Sequence, residues 1–156
     1  MKFSTQEEYG LRLLLRVAKF YQVGKSLTIP EISRAEKMSQ HNVGKILRIL
    51  RLGGFLIAER GQTGGYTLSR PPEQIKIREV LNALGGRLYD ENFCQHHSVI
   101  TDFCTNSIDC SIRSLWKIIQ DAIDSIVDNL TLKDLMAPEN YLFEIVHDVK
   151  GIGMRN

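Results

Sequence analysis

Apolar residues recur at helical spacing from the start of the chain, where Tyr9, Leu11, Leu14, Leu15 and Ala18 follow two polar residues, Ser4 and Thr5. Glu7 and Glu8 stand three positions after those two, so the stretch carries two overlapping capping-box signals and predicts a first helix to about Tyr21, closed at Gly24. Leu27, Thr28 and Ile29 read as a short extended lead. Thr28 with Glu31 forms another capping box, and Pro30 falls in the first turn, where its missing N–H does no harm; a helix is expected from Ile29 to about Lys37. After a turn through Met38, Ser39 caps a further helix that places Val43, Ile46, Leu47, Ile49 and Leu50 on its buried side. Two short capped helices joined by a tight turn are the pattern of a helix-turn-helix.

The period then changes. Phe55 to Arg60 and Tyr66 to Leu68 flank the glycine-rich run Gly61-Gln62-Thr63-Gly64-Gly65, which predicts a β-hairpin, or wing. Pro71 and Pro72 stop its second strand, and Ile77 to Leu84 predict a short helix closed by Gly85 and Gly86. Residues 91–111 hold no sustained period and read as a loop. Beyond them Ile112, Leu115, Ile119, Ala122 or Ile123, Ile126 and Leu130 alternate in steps of three and four, an a/d seam of about three heptads suited to a second copy of the chain. Trp116 lies off that stripe, on the side expected to pack back on the winged unit. Thr131 to Leu135 offers one more capped turn, and the end of the tail is expected to fray. The fold class is therefore mainly α with a small β-hairpin wing: a winged helix-turn-helix (1–90), a cysteine loop (91–111), a dimerisation helix (112–135) and a tail (136–156).

The overall charge of +2 conceals a division. Residues 1–90 carry 15 Lys and Arg against 8 Asp and Glu, a net of +7, whereas residues 91–156 carry 5 against 10, a net of −5. A basic half can pair with phosphates, and an acidic half held away from the duplex helps orient the approach. No apolar stretch is long enough to span a bilayer and the N-terminus lacks a secretory pattern, so a cytoplasmic protein with no membrane partner is expected. Neither a nucleophile-base motif, H-E-x-x-H nor a phosphate loop occurs, which argues against an enzyme.

In a winged helix-turn-helix the second helix enters the major groove with its N-terminal residues against base edges. Those residues here are Gln40, His41, Asn42, Lys45 and Arg48, with Ser39 and Thr28 at the helix caps. Gln and Asn can pair with adenine, and Lys and Arg suit guanine or phosphate. In the wing, Arg60 precedes Gly64, Gly65 and Tyr66, and a glycine-rich tip can bring a guanidinium to a minor groove or a phosphate.

The run TIPEISRAEKMSQHNVGKILRILRLGGFLIAERGQTGGYTLSRPPEQIKIREVL resembles the winged helix-turn-helix of the bacterial Rrf-two family of transcription regulators, of the IscR/NsrR-like kind. The opening MKFSTQEEYGLRLLLRVA, the RG-x-x-GGY wing and the TLKDL turn match as well, so the resemblance covers residues 1 to about 135. It implies a homodimer on a palindromic double-stranded DNA operator, with the long helix crossing to the partner.

All three cysteines fall between Cys94 and Cys110, in the spacing C-x9-C-x5-C, with His96 and His97 beside the first. In a reducing compartment an odd, clustered set favours metal binding or redox sensing over disulfides. Thiolates are soft ligands suited to iron-sulfur clusters, zinc or copper(I), and a cluster commonly takes four ligands, one more than the cysteines supply. The resemblance implies a non-cysteine fourth ligand. A histidine just after the last cysteine is excluded, because Ser111, Ile112 and Arg113 follow Cys110. The family's other arrangement, an acidic residue on the first helix of the opposite subunit, matches Glu8, which also stands where a capping box would use it; His96 and His97 compete for the role. The interval from Cys94 to Cys104 is longer than the family's commoner one, which bears on cluster type. The resulting expectation is a 4Fe-4S cluster on Cys94, Cys104, Cys110 and Glu8, with 2Fe-2S second, controlling a repressor that answers to nitric oxide, redox or iron status. The alternatives are a thiol- or zinc-responsive regulator on the same frame, an iron-sulfur electron carrier or enzyme, and an interaction module that no longer binds an operator.

Overall fold

The computed structural model describes residues 4–61, 64–89 and 110–145. Its elements are α1 (Thr5–Tyr21), α2 (Ile29–Glu36), α3 (Gln40–Leu52), β1 (Leu56–Glu59), β2 (Gly65–Leu68), a 3-10 turn (Pro72–Gln74), α4 (Ile77–Leu84), α5 (Ser111–Val127), α6 (Leu132–Leu135) and α7 (139–145). The chain is mainly α with a two-stranded antiparallel wing, as the periodicities predict.

Local chemistry sets the boundaries. Ser4 caps α1 in an extended conformation, its hydroxyl accepting from the Glu7 N–H while the Glu7 carboxylate accepts from the Ser4 N–H. Thr5 is already helical, so the second overlapping box, Thr5 with Glu8, does not form; a helix has one N-cap position. Thr28 caps α2 in the same reciprocal way with Glu31, and Ser39 caps α3 by accepting from the Asn42 N–H at 3.3 Å. Between α2 and α3 the turn is made at Lys37, whose φ of 54° lies in the left-handed region.

The α2 box has a pH signature. Hydrogen bonds from the Thr28 N–H, then from its hydroxyl, then from Lys25 lower the Glu31 pKa from 4.5 to about 2. A carboxylate whose folded pKa is depressed stabilises the fold above its unfolded pKa and loses that contribution as pH falls through the folded value. The melting temperature of the wild type should therefore exceed that of Glu31→Gln at neutral pH by a small margin, since the group is exposed. The margin should close between about pH 4.5 and 2; thermal melts of both proteins across that range test it, and a constant gap would remove the carboxylate from the cap.

The core gathers Leu13, Leu14 and Val17 of α1, Ile32 of α2, Val43, Leu47 and Leu50 of α3, and Val80 and Leu84 of α4. β1 and β2 pair with Leu56 opposite Leu68 and Glu59 opposite Gly65, and Leu27 adds an antiparallel bridge to Tyr66.

Two expectations are corrected after the loop. The seam helix, expected over 112–135, ends at Val127. Leu130, expected on the seam, lies beyond that end and is only 8% exposed, in the core. The reason is backbone pairing: the Ile77 N–H donates to the Leu130 carbonyl at 3.0 Å, the Leu132 N–H donates to the Ile75 carbonyl at 2.9 Å, and Lys76 bridges Thr131. A segment stitched to residues 75–77 turns its leucines inward, so Leu130 and the fully buried Leu132 complete the winged core. The capped turn expected at Thr131 is α6, with the Thr131–Asp134 box in place.

Candidate nucleic-acid interface and cysteine site

Packing Val43, Ile46, Leu47 and Leu50 inward leaves one face of α3 to solvent. Gln40, His41, Asn42, Lys45 and Arg48 all lie exposed on it, as expected. No hydrogen bond or ion pair to the side chains of Gln40, His41, Lys45 or Arg48 forms among the described residues, whereas Arg12, Arg16, Arg70, Arg78 and Arg87 are each paired with a carboxylate. A face of uncommitted donors can engage a ligand without first breaking bonds. Ser39 spends a lone pair on its cap and keeps its proton to donate. The Thr28 hydroxyl is more fully used, donating to Glu31 at 2.8 Å and accepting from the Glu31 N–H at 3.4 Å. A groove of about 520 Å³ runs along this face between Gln40, His41, Gly44, Lys45, Arg48, Ile49 and Leu52. The sequence reading missed Gly44, Ile49 and Leu52 as members of it, because apolar residues and glycine carry no polar signal.

The wing follows α3 in the chain and packs against it. Its position comes from the Leu27–Tyr66 bridge, whose two bonds measure 2.9 and 2.7 Å. Gly65 is required by this contact, since a Cβ there would stand 2.6 Å from the Leu27 carbonyl oxygen, and at Gly64 one would stand 2.7 Å from that of Glu59. The glycines of the RG-x-x-GGY motif thus already have a folding role. Arg60 is exposed at the end of β1, and Glu59 beside it accepts from the Ser26 hydroxyl.

Of the cysteine site, Cys110 and Glu8 are described; Cys94, Cys104, His96 and His97 lie outside the described residues. Cys110 is the N-cap of α5, half-buried, its Sγ accepting from the Arg113 N–H at 3.4 Å. Glu8 is exposed and takes no part in the α1 cap. It pairs with Arg12 at 3.4 Å, and Arg12 in turn reaches Glu36 at 3.1 Å, which also holds Arg16 at 2.6 Å. The hydrogen bond that Arg12 donates to Glu36 leads the causes that raise the Arg12 pKa. This chain of charges links the first turns of α1 to the end of α2. No group of three or more His, Cys, Asp and Glu side chains suited to a metal converges among the described residues.

The described residues before and after the cysteine segment are anchored by residues that the sequence reading did not single out. Gln120 of α5 is 3% exposed, and its Oε1 accepts from the Leu88 N–H at 2.9 Å and the Tyr89 N–H at 3.2 Å, where the chain departs toward the cysteines. Its Nε2 donates to Asp124 at 2.9 Å. Asp124 also accepts from Arg78 and Arg87, and Arg78 makes two 2.9 Å bonds to Asp128, the largest cause of its raised pKa. The available signal was a single glutamine beside the apolar stripe of an amphipathic helix. On the open side of α5, Ile112 and Leu115 are 58% and 53% exposed, and Ile118, which the a/d reading left out, is 66%. Ile119, Ile123 and Ile126 are half-buried, so the apolar face open to a partner is rotated toward Ile118. Among the described residues no helix is long and apolar enough to cross a membrane.

Comparison with known proteins gives this arrangement relatives. The model of the Rrf2 family, described as an iron-dependent transcriptional regulator, matches residues 3–138. The HTH-type transcriptional regulator CymR of Bacillus subtilis is 27% identical over 150 residues, covering 93% of this chain and all of the relative. Its structure, described as that of the global cysteine regulator of B. subtilis, aligns with a TM-score of 0.65 over 87% of this chain and 96% of that one, at 27% identity. The oxidized form of Staphylococcus aureus CymR aligns at 0.64 with 27% identity, over 88% and 98%. T. potens IscR, at 22% identity and 0.63 over 100% and 93%, shares the fold.

Proposed function

The chain belongs to the Rrf2 family, and from that premise we propose that this transcriptional regulator is a homodimeric repressor whose cysteine loop sets its affinity for a palindromic operator. In this reading Gln40, His41, Asn42, Lys45 and Arg48 of α3 read the major groove, with Ser39 and Thr28 at its edge. Arg60, with the backbone of Gly64, Gly65 and Tyr66, reaches a phosphate or the minor groove. The open face of α5 around Leu115 and Ile118 meets the second copy.

The sensor half is an iron-sulfur cluster held by Cys94, Cys104 and Cys110 of one subunit and Glu8 of the other, 4Fe-4S ahead of 2Fe-2S. The observation that carries it is three soft thiol donors in one loop together with a carboxylate that no capping box consumes. Such a donor set fits the group. When bound, the cluster would supply a centre that nitric oxide, oxygen or iron shortage alters. The protein's own part is to orient Cys110 at the α5 N-cap and to tie the loop entrance to α5 through Gln120. A change in loop length or packing is then felt by α4 and α5 together.

A second reading has a specific observation in its favour, the similarity to a regulator described as the global cysteine regulator of B. subtilis and to the oxidized form of S. aureus CymR. In it the same loop acts through its thiols or through zinc, on the same DNA-binding frame. Anaerobic purification followed by absorbance, iron, sulfide and zinc assays separates the two. Near-stoichiometric iron and sulfide, lost in Cys104→Ala and weakened in Glu8→Ala, is the result expected of the cluster. Zinc or no metal in the wild type would transfer the proposal to the thiol reading.

A further inference from the structure

Gly44 sits in the middle of α3, on the exposed face, where helical φ and ψ suit any residue. Glycine there costs helix stability relative to alanine, because its backbone loses more freedom on folding. Such a residue is ordinarily kept for a left-handed turn or a tight contact. Every other described glycine has one or the other: a φ between 68° and 156°, or a neighbouring atom within 2.8 Å of where a Cβ would stand. Gly44 has neither. A Cβ built on it meets only the tip of Ile29, at 3.5 Å, an ordinary van der Waals contact. The fold accepts alanine at this position without adjustment, so folding gives no reason for glycine.

The surroundings supply one. Gly44 forms the floor of the α3 groove, with Gln40, Lys45 and Arg48 on its walls and Leu52, 70% exposed, at its far end. Missing side-chain bulk at the floor lets a convex surface come closest to the helix axis at that point, flanked by cationic and amide donors and by an apolar side chain. Base edges in a major groove have this combination, with acceptors for the lysine, arginine and glutamine and thymine methyls for the leucine.

We propose that Gly44 is a specificity-determining position of the recognition helix: its missing side chain sets how deeply α3 seats in the major groove, and so whether the donors around it reach base edges. The inference rests on the DNA-reading function of α3 and does not depend on the nature of the sensor. The seating matters for base contacts and little for phosphate contacts, which long side chains reach from a greater distance.

The experiment is Gly44→Ala in the full-length protein. A specific duplex is first recovered with the wild type from a randomised pool, and affinity is measured by fluorescence anisotropy for that duplex and for a scrambled one, alongside thermal melts. The melting temperature should rise by about 2–4 °C, while affinity for the selected duplex falls about tenfold or more and affinity for the scrambled duplex stays within about twofold. Selective affinity retained by Gly44→Ala would overturn the proposal, as would a lowered melting temperature, which would give Gly44 a folding role after all. Failure of the wild type to select any duplex would instead overturn the DNA-reading function itself, and the proposal with it.

Discussion

Leu132→Ala should lower the free energy of unfolding by about 2–5 kcal/mol, the cost of emptying a fully buried leucine site that cannot collapse around the smaller side chain. Leu132 is fully buried in the winged core, with its N–H bonded to the Ile75 carbonyl. It comes after the α5 helix and yet completes the core built by α1, α3 and α4. Urea denaturation at one fixed protein concentration measures the effect, as a lower midpoint with an unchanged slope. In the proposed homodimer, the dissociation constant separates this position from the open face of α5. It should be unmoved in Leu132→Ala and raised in Leu115→Ala, a residue 53% exposed in the single chain. If Leu132→Ala loosened the dimer and left the single chain as stable as before, the segment would belong to the partner contact and the backbone stitch to residues 75–77 would be incidental.

That contrast explains what the sequence could and could not show. The caps of α1, α2 and α3, the wing and the Gly85 stop depend on residues within a few positions of one another, and local chemistry decides them. Heptad spacing is a weaker guide. Leu115 and Leu130 fall on one stripe of three- and four-residue steps, and nothing in that spacing states whether an apolar side chain meets its own core or a second copy. The answer came from the pairing of residues 130–132 with residues 75–77, a contact between distant parts of the chain. Glu8 was ambiguous for a related reason. Two overlapping S/T-x-x-E pairs compete for one cap, and only the backbone shows that Ser4 and Glu7 take it. The exposed polar residues of α3 were legible because helical period and a neighbouring wing define one face. Gly44 was not, since its meaning depends on knowing that no neighbour requires it.

Replacing Gln120 with leucine should damage stability and signalling together. The amide is 3% exposed and accepts from the Leu88 and Tyr89 N–H groups, so an apolar side chain of similar size would take this acceptor away from two half-buried donors. Each such loss costs about 1–3 kcal/mol, and Asp124 would lose one of its donors as well. The wider consequence follows from where the bonds lie: Leu88 and Tyr89, just before residues 90–109, are bonded to α5, while Cys110, just after them, caps that helix. In the proposed sensor, a cysteine segment held to α5 on both sides passes its rearrangement to that helix, and one released at its start does not. Gln120→Leu should therefore keep its complement of bound iron or reactive thiols and still dimerise, while the ratio of operator affinities between the two states of the loop shrinks about tenfold toward unity. Anisotropy titrations of both states, with and without the substitution, measure that ratio. A ratio equal to the wild type's in a variant of lowered stability would move the coupling to the other anchor, where the Cys110 sulfur meets the first turn of α5.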